Sequence, residues 1–429
     1  MLRELGIFER AVMVSNQHAP FHINIVVELQ NPPVPEKIKE SIRKLQSRHP
    51  FLRARIMQMD NQYCFIDNGD HQFPFQVIKR ENDKQWIEVT EKAMATGFNI
   101  PDESLFRVYY LFSHDTAELI LSIHHAISDA VSATNLVDEL LTIATNGDHK
   151  AENLQVIPKL EDRLPKEFKR SRKFIKLVQF GMNQLIDELI YQAQNLFKRK
   201  PPVRLGGQGR IITRSLSEEF VNSLAYYGRK QNLTLNSILN SAQLLAVNRH
   251  LYQGKPTRMY TFTFADLRPF TTPPTAITDL GSFISMLRFP VMVNGSSGLW
   301  EIAKQLQNKI QKSLKSGGRF TGYLSSEMML KMITKFKIMR FGANALNYNA
   351  GLNLKSKYGN TELTSFHGFI SGYDLGPELG SQVGIFNGRL FWDFTFLETD
   401  YSLEKANQIV DEIILILKDA LSEKQPSPQ

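Results

Sequence analysis

The sequence predicts an α+β fold divided into two lobes, and three observations predict it. At about 100–200 residues per domain, a chain of 429 residues holds two or three lobes. Its 42% hydrophobic and 22% charged residues are typical of globular proteins, which excludes wholesale disorder. Apolar runs of strand length and amphipathic helical faces occur in both halves of the chain.

The first half opens with a strand, a helix and another strand. Residues 23–30 (INIVVELQ) form an apolar run, and Ile38, Ile42 and Leu45 lie on one helical face before a proline ends the helix. Further strands are predicted at 51–59, 62–67, 75–80, 105–113 and 117–127, with helices at about 84–97 and 130–145. Together these elements predict an N-terminal α+β lobe over residues 1–157.

A basic amphipathic segment over residues 158–207 is predicted to connect the lobes. Between Lys166 and Lys200 the apolar residues keep near-heptad spacing, which predicts a helix or a helix pair. Residues 159–204 contain 12 Lys or Arg against 5 Asp or Glu, so this stretch supplies most of the formal net charge of +8. The segment either packs on the lobes with its lysines in solvent, or it docks an acidic partner or an anionic membrane surface. A basic surface confined to one segment does not predict a nucleic-acid partner.

The second half has the same mixture of helical and strand patterns, which predicts a C-terminal lobe over residues 208–424. Helices are predicted at about 235–252, 298–315 and 321–339, and strands at 258–265 and 282–292. Asn387-Gly388 predicts a hairpin turn, because both residues tolerate positive φ. Ser402 is predicted to cap a last helix. Residues 425–429 are predicted to form a disordered tail. Two such lobes leave an interface cleft, where small-molecule sites often lie.

The cysteine content and the N-terminus indicate the compartment. Cys64 is the single cysteine, so no internal disulfide or cysteine-rich zinc site is expected. Glu4 and Glu9 lie among the first ten residues and no run of about 18 apolar residues follows, so neither a signal peptide nor a membrane-spanning helix is expected. The predicted location is cytoplasmic.

The string LILSIHHAISDAVSATNLVDELL (119–141) carries the candidate chemistry. Strand alternation puts His124 and His125 on opposite faces, so only one of them faces a cleft. A histidine there, with an ordinary pKa of about 6.5, takes a proton from a hydroxyl or amine near neutral pH. The alternative is a pair of buried core histidines with hydrogen-bonded rings. A metal site that includes Asp129 is disfavoured, because opposite strand faces prevent joint ligation.

Residues 124–130 (HHAISDA) resemble the His-His-x-x-x-Asp-Gly signature of the condensation-domain superfamily. This superfamily includes nonribosomal-peptide condensation domains, wax ester synthases and polyketide-associated alcohol acyltransferases. Four further segments are similar to segments of that family: SRHPFLRARI (47–56), ADLRPF (265–270), LGSFISMLRFPV (280–291) and, loosely, NYNAGLN (347–353). Their order and spacing extend the resemblance over most of the chain.

The resemblance implies a chloramphenicol-acetyltransferase-like fold, with two lobes in a pseudo-twofold arrangement around a through-channel. It implies that His125, at the middle of the channel, deprotonates an acceptor as this attacks an acyl thioester, without an acyl-enzyme. His124, Asp129 and Arg268 are implied to support the site, with Asp129 paired to Arg268. Asp129 also opens a helix, where its carboxylate can accept main-chain N–H bonds.

The resemblance also implies the substrates. The donor is an acyl-CoA or a phosphopantetheine-linked acyl carrier, and no cofactor is bound. The acceptor is an alcohol, which gives an ester; the alternatives are an amine acceptor, or a non-catalytic channel protein that binds an acyl carrier. An acidic acyl carrier protein could dock on the basic segment 159–204, and the chain is expected to act as a monomer.

The channel wall and the oxyanion donor are left open by the sequence. Candidates are Ser128 and Ala130 beside the motif, and Asn347 and Asn349 in the later strand. Ala130 replaces the family's usual glycine and adds a methyl group to the expected channel wall, which would narrow access for the donor. Asp266 stands where an asparagine is commoner.

Overall fold

The computed structural model describes residues 1–69, 73–146, 152–165, 193, 207–335, 342–349, 351–372 and 376–423. Most of the predicted basic segment, residues 166–192 and 194–206, lies outside the described residues, as does the predicted tail over 425–429. None of the helices in the described part of the chain has the length and apolar character that would let it cross a bilayer.

The first half of the chain forms seven strands and five helices among the described residues. The strands are β1 (Arg3–Glu4), β2 (His22–Gln30), β3 (Ala54–Met59), β4 (Gln62–Asp67), β5 (Phe75–Lys79), β6 (Phe106–Phe112) and β7 (Thr116–His124). The helices are α1 (Ile7–Asn16), α2 (Pro35–Arg48), α3 (Gln85–Ala95), α4 (Ala130–Asn146) and the short α5 (Leu160–Arg163). In α2 the predicted face of Ile38, Ile42 and Leu45 is buried, because it packs on α4 and belongs to the core cluster of the first half.

The described part of the second half forms eight strands and five helices. The strands are β8 (Gly209–Leu216), β9 (Thr257–Asp266), β10 (Ile284–Val293), β11 (Asn344–Asn349), β12 (Lys357–Tyr358), β13 (Thr361–Ile370), β14 (Leu379–Phe386) and β15 (Arg389–Leu397). The helices are α6 (Glu218–Lys230), α7 (Leu235–Leu251), α8 (Leu299–Lys315), α9 (Gly318–Lys335) and α10 (Leu403–Ser422). Two local predictions are confirmed: Asn387 and Gly388 both have positive φ in the β14–β15 turn, and the Ser402 hydroxyl caps α10.

Two six-stranded sheets organise the molecule. The first sheet has the order β12-β13-β2-β7-β6-β5 and the second has the order β10-β9-β11-β14-β15-β8, while β1, β4 and β3 form a small third sheet. β13 pairs antiparallel with β2, so the first sheet takes two strands from the second half of the chain. The division predicted at residue 208 does not include this strand exchange, because the exchange depends on pairing between distant segments.

A buried ion pair links the exchanged strand to the second sheet. The His367 Nδ1–H of β13 donates to Asp393 Oδ1 of β15 at 2.8 Å, and the neighbouring Gly368 N–H donates to Oδ2 at 2.9 Å. Burial alone would lower the pKa of His367, but Asp393 and Glu28 outweigh it and raise that pKa to about 9. The pair therefore holds the two sheets together while the imidazole is protonated.

Helix α1 is an element that the sequence interpretation missed. Its N-terminus is held by side chains: Glu9 accepts from the Gly6 N–H, and Glu161 accepts from the Ile7 N–H at 3.1 Å. Arg3 forms an ion pair with Glu9. α1 packs against α9 of the second half, so it joins the two parts of the chain beside the junction of the sheets.

Candidate active site

His125 lies in the turn between β7 and α4, at the junction of the two sheets. Its side chain is buried between the rings of Phe8 and Phe21, whose centroids are 5.5 and 5.0 Å from the imidazole. Nδ1 lies 2.8 Å from the carbonyl oxygen of Ser128. Since a carbonyl oxygen only accepts, Nδ1 carries the proton and Nε2 keeps its lone pair.

The surroundings of His125 favour the neutral imidazole. Burial lowers the pKa of His125 below its ordinary value, and the Ser128 carbonyl and the Asp129 charge only partly oppose that shift. The ring is therefore unprotonated at neutral pH. A neutral histidine of fixed tautomer with a free Nε2 is the form that a general base requires.

His124 lies in a different environment from His125. Its Nδ1 accepts the Ala126 N–H at 3.2 Å, and its Nε2 lies against the side-chain amide of Asn16. Burial and the neighbouring His22 lower the pKa of His124 to about 3. Both ring nitrogens are thus engaged by the protein, which leaves His124 a packing role.

Asp129 and Arg268 form a bidentate ion pair behind the motif. Both oxygen–nitrogen distances are 2.8 Å, and the two side chains are 1% and 5% exposed. The carboxylate also accepts the main-chain N–H groups of Ser132 and Phe283, at 2.9 and 2.8 Å. Burial alone would raise the pKa of Asp129, but Arg268 and these two N–H groups outweigh it and hold that pKa below its usual value.

These contacts bring three separate segments of the chain together. Asp129 belongs to the histidine motif, Arg268 to ADLRPF and Phe283 to LGSFISMLRFPV. The Asp129 N–H also donates to the Gly281 carbonyl at 3.1 Å. Asp129 is bonded to its own loop and to the second half of the chain, so it shapes the turn that carries His125.

His125 borders a cavity of about 130 Å³ that both halves of the chain line. Most of the wall is apolar, from Phe8, Phe21, Phe262, Phe264, Ile284, Met286, Leu330, Ala345 and Ile370. The polar residues that line it, besides His125, are Ser15, Ser371, Ser381, Gln382 and Thr395. Water has little to bond to in such a space, which suits a reaction in which an acceptor other than water attacks a carbonyl.

A second cavity of about 20 Å³ contains most of the sequence-predicted wall candidates. Ala130, Asn347 and Asn349 line it, together with Gln382, and His125 does not. Ser128 lines neither cavity among the described residues, since its hydroxyl donates to the Asp129 carbonyl and its own carbonyl orients His125. Gln382 borders both cavities, and sequence reasoning missed it.

Among the described residues, no group of three His, Cys, Asp or Glu side chains is placed to hold a metal ion.

Comparison with known proteins gives a consistent result. A family model described as Condensation domain matches residues 11–426. Bacitracin synthase 3 of Bacillus licheniformis is 26% identical over 245 residues, which cover 55% of this chain and 4% of that protein. The chain therefore spans only a small part of that curated relative.

Two solved structures share the fold over nearly the whole chain. Polyketide synthase associated protein 5 from Mycobacterium tuberculosis has a TM-score of 0.68 at 17% identity and covers 99% of both chains. A trichothecene 15-O-acetyltransferase from Fusarium sporotrichioides has a TM-score of 0.76 at 12% identity, over 97% of this chain and 94% of that one. At these identities the likeness concerns the fold, and it confirms the predicted α+β class.

Proposed function

This chain belongs to the condensation-domain family, as its histidine motif predicts, and on that premise we propose that it is an acyltransferase that forms esters. The single observation that carries the proposal is the hydrogen bond from His125 Nδ1–H to the Ser128 carbonyl, which leaves Nε2 as a base beside an apolar cavity.

The proposed reaction is a direct transfer. His125 Nε2 takes the proton of the acceptor hydroxyl while the hydroxyl oxygen forms a bond to the thioester carbonyl carbon. The carbonyl oxygen carries the negative charge of the tetrahedral intermediate. When the C–S bond breaks, the electron pair on that oxygen re-forms the C=O double bond, and the imidazolium gives its proton to the departing thiolate. The products are an ester and a free thiol, and the base is regenerated without an acyl-enzyme.

The proposed donor is an acyl-CoA or a carrier-bound acyl thioester, with no resident cofactor. The acetyl transfer to oxygen named for the Fusarium protein supports a hydroxyl acceptor. Because bacitracin synthase 3 is named for forming bacitracin, a peptide, an amine acceptor is the second candidate. Docking of a carrier protein on segment 159–204 remains a prediction from its charge, since most of that segment lies outside the described residues.

The test is product analysis by mass spectrometry. The purified chain is incubated with acyl-CoA and acyl-carrier donors of graded length and with a mixed panel of alcohols and amines. His125→Ala is expected to lower transfer by about 10²–10⁴, the usual contribution of a general base. His114→Ala is the matched control, because that imidazole is 99% exposed in the β6–β7 turn. Absence of product with every pair, or undiminished transfer by the folded His125→Ala variant, would contradict the proposal.

A further inference from the structure

The central strand β14 presents an unusual row of residues to the space between the two sheets. On one side of the strand, Leu379 and Val383 belong to the core of the second half, and the Ser381 hydroxyl donates to Gln243 of α7 at 2.7 Å. Gly380, Gln382 and Gly384 alternate with these residues, so they face the other way. On this face of β14, Gln382 is therefore the one residue with a side chain between Gly380 and Gly384.

Neighbouring side chains lie close to both glycines that flank Gln382. A Cβ at Gly380 would lie 2.8 Å from Thr395 Oγ1, and a Cβ at Gly384 would lie 3.1 Å from the Phe366 ring, so neither position accommodates a side chain as it stands. The cavity of His125 adjoins Gly380, and the cavity of Ala130 adjoins Gly384. Gln382 lines both cavities, so it stands between them.

The Gln382 amide has N–H donors that other described residues do not use. Several polar neighbours in the His125 cavity are already bonded: Ser371 Oγ accepts the His22 N–H at 2.9 Å, and Thr395 Oγ1 donates to the Gly380 carbonyl at 3.3 Å. Gln382 makes no side-chain hydrogen bond to another described residue, and it is only partly buried. An amide in an otherwise mainly apolar wall provides a hydrogen bond that a bound molecule can use.

We propose that the Gln382 amide donates an N–H to the carbonyl oxygen of the acyl thioester, in the cavity that His125 also borders; this inference rests on the proposed function. The negative charge of the tetrahedral intermediate develops on that oxygen, and its electron pair re-forms the C=O double bond when the C–S bond breaks. A donor in a mainly apolar wall stabilises this charge more than water does, because little solvent screens it. Asn347 and Asn349, the donors considered from the sequence, line the cavity that does not contain His125.

The first test separates donation from packing. Gln382→Met keeps the length of the side chain and removes both donors, so kcat is expected to fall by about 10²–10³ while KM for the donor changes little. Gln382→Glu adds a pH readout. A protonated carboxyl donates and an ionised one cannot, so this variant should gain activity as pH falls until His125 is protonated. A packing role would leave the shape of the pH profile unchanged.

The second test follows the carbonyl without turnover. A thioester labelled with ¹³C at the acyl carbonyl is bound as its CoA derivative without acceptor, and its infrared C=O stretch is recorded. The wild-type protein should shift the stretch to lower frequency, and Gln382→Met should abolish that shift. Asn347→Leu is the matched comparison from the other cavity.

The outcomes distinguish this inference from the proposed function. A wild-type chain that neither binds nor turns over any acyl thioester would overturn both. A wild-type chain that transfers acyl groups, beside a folded Gln382→Met variant with unchanged kcat and carbonyl shift, overturns only the role of Gln382. The same holds if Asn347→Leu, rather than Gln382→Met, removes the shift.

Discussion

Replacing Asp129 by asparagine tests whether the ion pair behind the motif maintains the active-site turn. The change keeps the shape of the side chain but leaves the guanidinium of Arg268, whose side chain is 5% exposed, without its bidentate partner. Removing one member of a buried pair costs about 3–5 kcal/mol, since the remaining charge stays desolvated. We expect Asp129→Asn to lower the free energy of unfolding by about this amount.

The assay is a double-mutant cycle in urea unfolding with Asp129→Asn, Arg268→Gln and the double variant. The double variant is expected to be little less stable than either single variant. Asp266→Asn is the matched control. Asp266 contacts the same arginine at 3.2 Å, but its side chain is 41% exposed, so this substitution should lower the free energy of unfolding by less than about 1 kcal/mol. Strictly additive losses of unfolding free energy, or an equal loss in Asp266→Asn, would refute the reasoning.

The pH dependence of stability gives an independent check on the pair. Because the folded pKa of Asp129 is held below its usual value, its contribution is present above the ordinary Asp pKa of about 3.9 and is lost as pH falls through the folded pKa. Asp129→Asn should therefore show a smaller loss of stability on acidification. A stable Asp129→Asn protein with a shifted acid limb of its pH–rate profile would instead indicate direct contact with His125.

Further predictions concern the histidines and the channel wall. Burial lowers the pKa of His125, so the acid limb of kcat/KM should lie below pH 6.5, and a limb above that value would contradict the assignment. His124→Ala should lower the melting temperature more than the turnover of the folded protein; abolished turnover in a stable variant would reverse the two roles. His367, with its pKa raised to about 9, contributes stability that is complete below pH 6.5 and is lost as pH rises through about 9. Its replacement by glutamine should flatten the alkaline fall in the urea midpoint, and a wild-type midpoint that does not fall between pH 7 and 10 would argue against the charged pair with Asp393. Ala130→Gly should admit bulkier donors, which a series from acetyl to long-chain thioesters would show; unchanged selectivity means that this methyl does not restrict the donor path.

Local chemistry explains why much of the fold could be predicted from the sequence. The β14–β15 hairpin follows from two adjacent residues that tolerate positive φ, and α2 follows from apolar residues at helical spacing. Helix α1 has a local signal that the sequence interpretation missed, since Glu9 lies three residues after Gly6 and accepts its N–H. The second contact at its N-terminus, with Glu161, joins distant parts of the chain and exists only in the folded protein.

The same difference between local and long-range contacts applies to His125 and Gln382 in the active site. Strand alternation predicts only that one of the two histidines faces a cleft, and the resemblance of the motif to the condensation-domain signature implies that it is His125. Its tautomer depends on the carbonyl of Ser128, only three residues away. Alternation also places Gln382 between two glycines on one face of β14. Alternation alone does not predict which face of β14 lies toward the junction of the sheets. That orientation follows from the bond between Ser381 and α7 and from the pairing of β13 with the first sheet, both of which join distant segments. A hydrogen-bond donor supplied by a distant strand therefore has to be identified from the packed structure, whereas the base could be proposed from the motif.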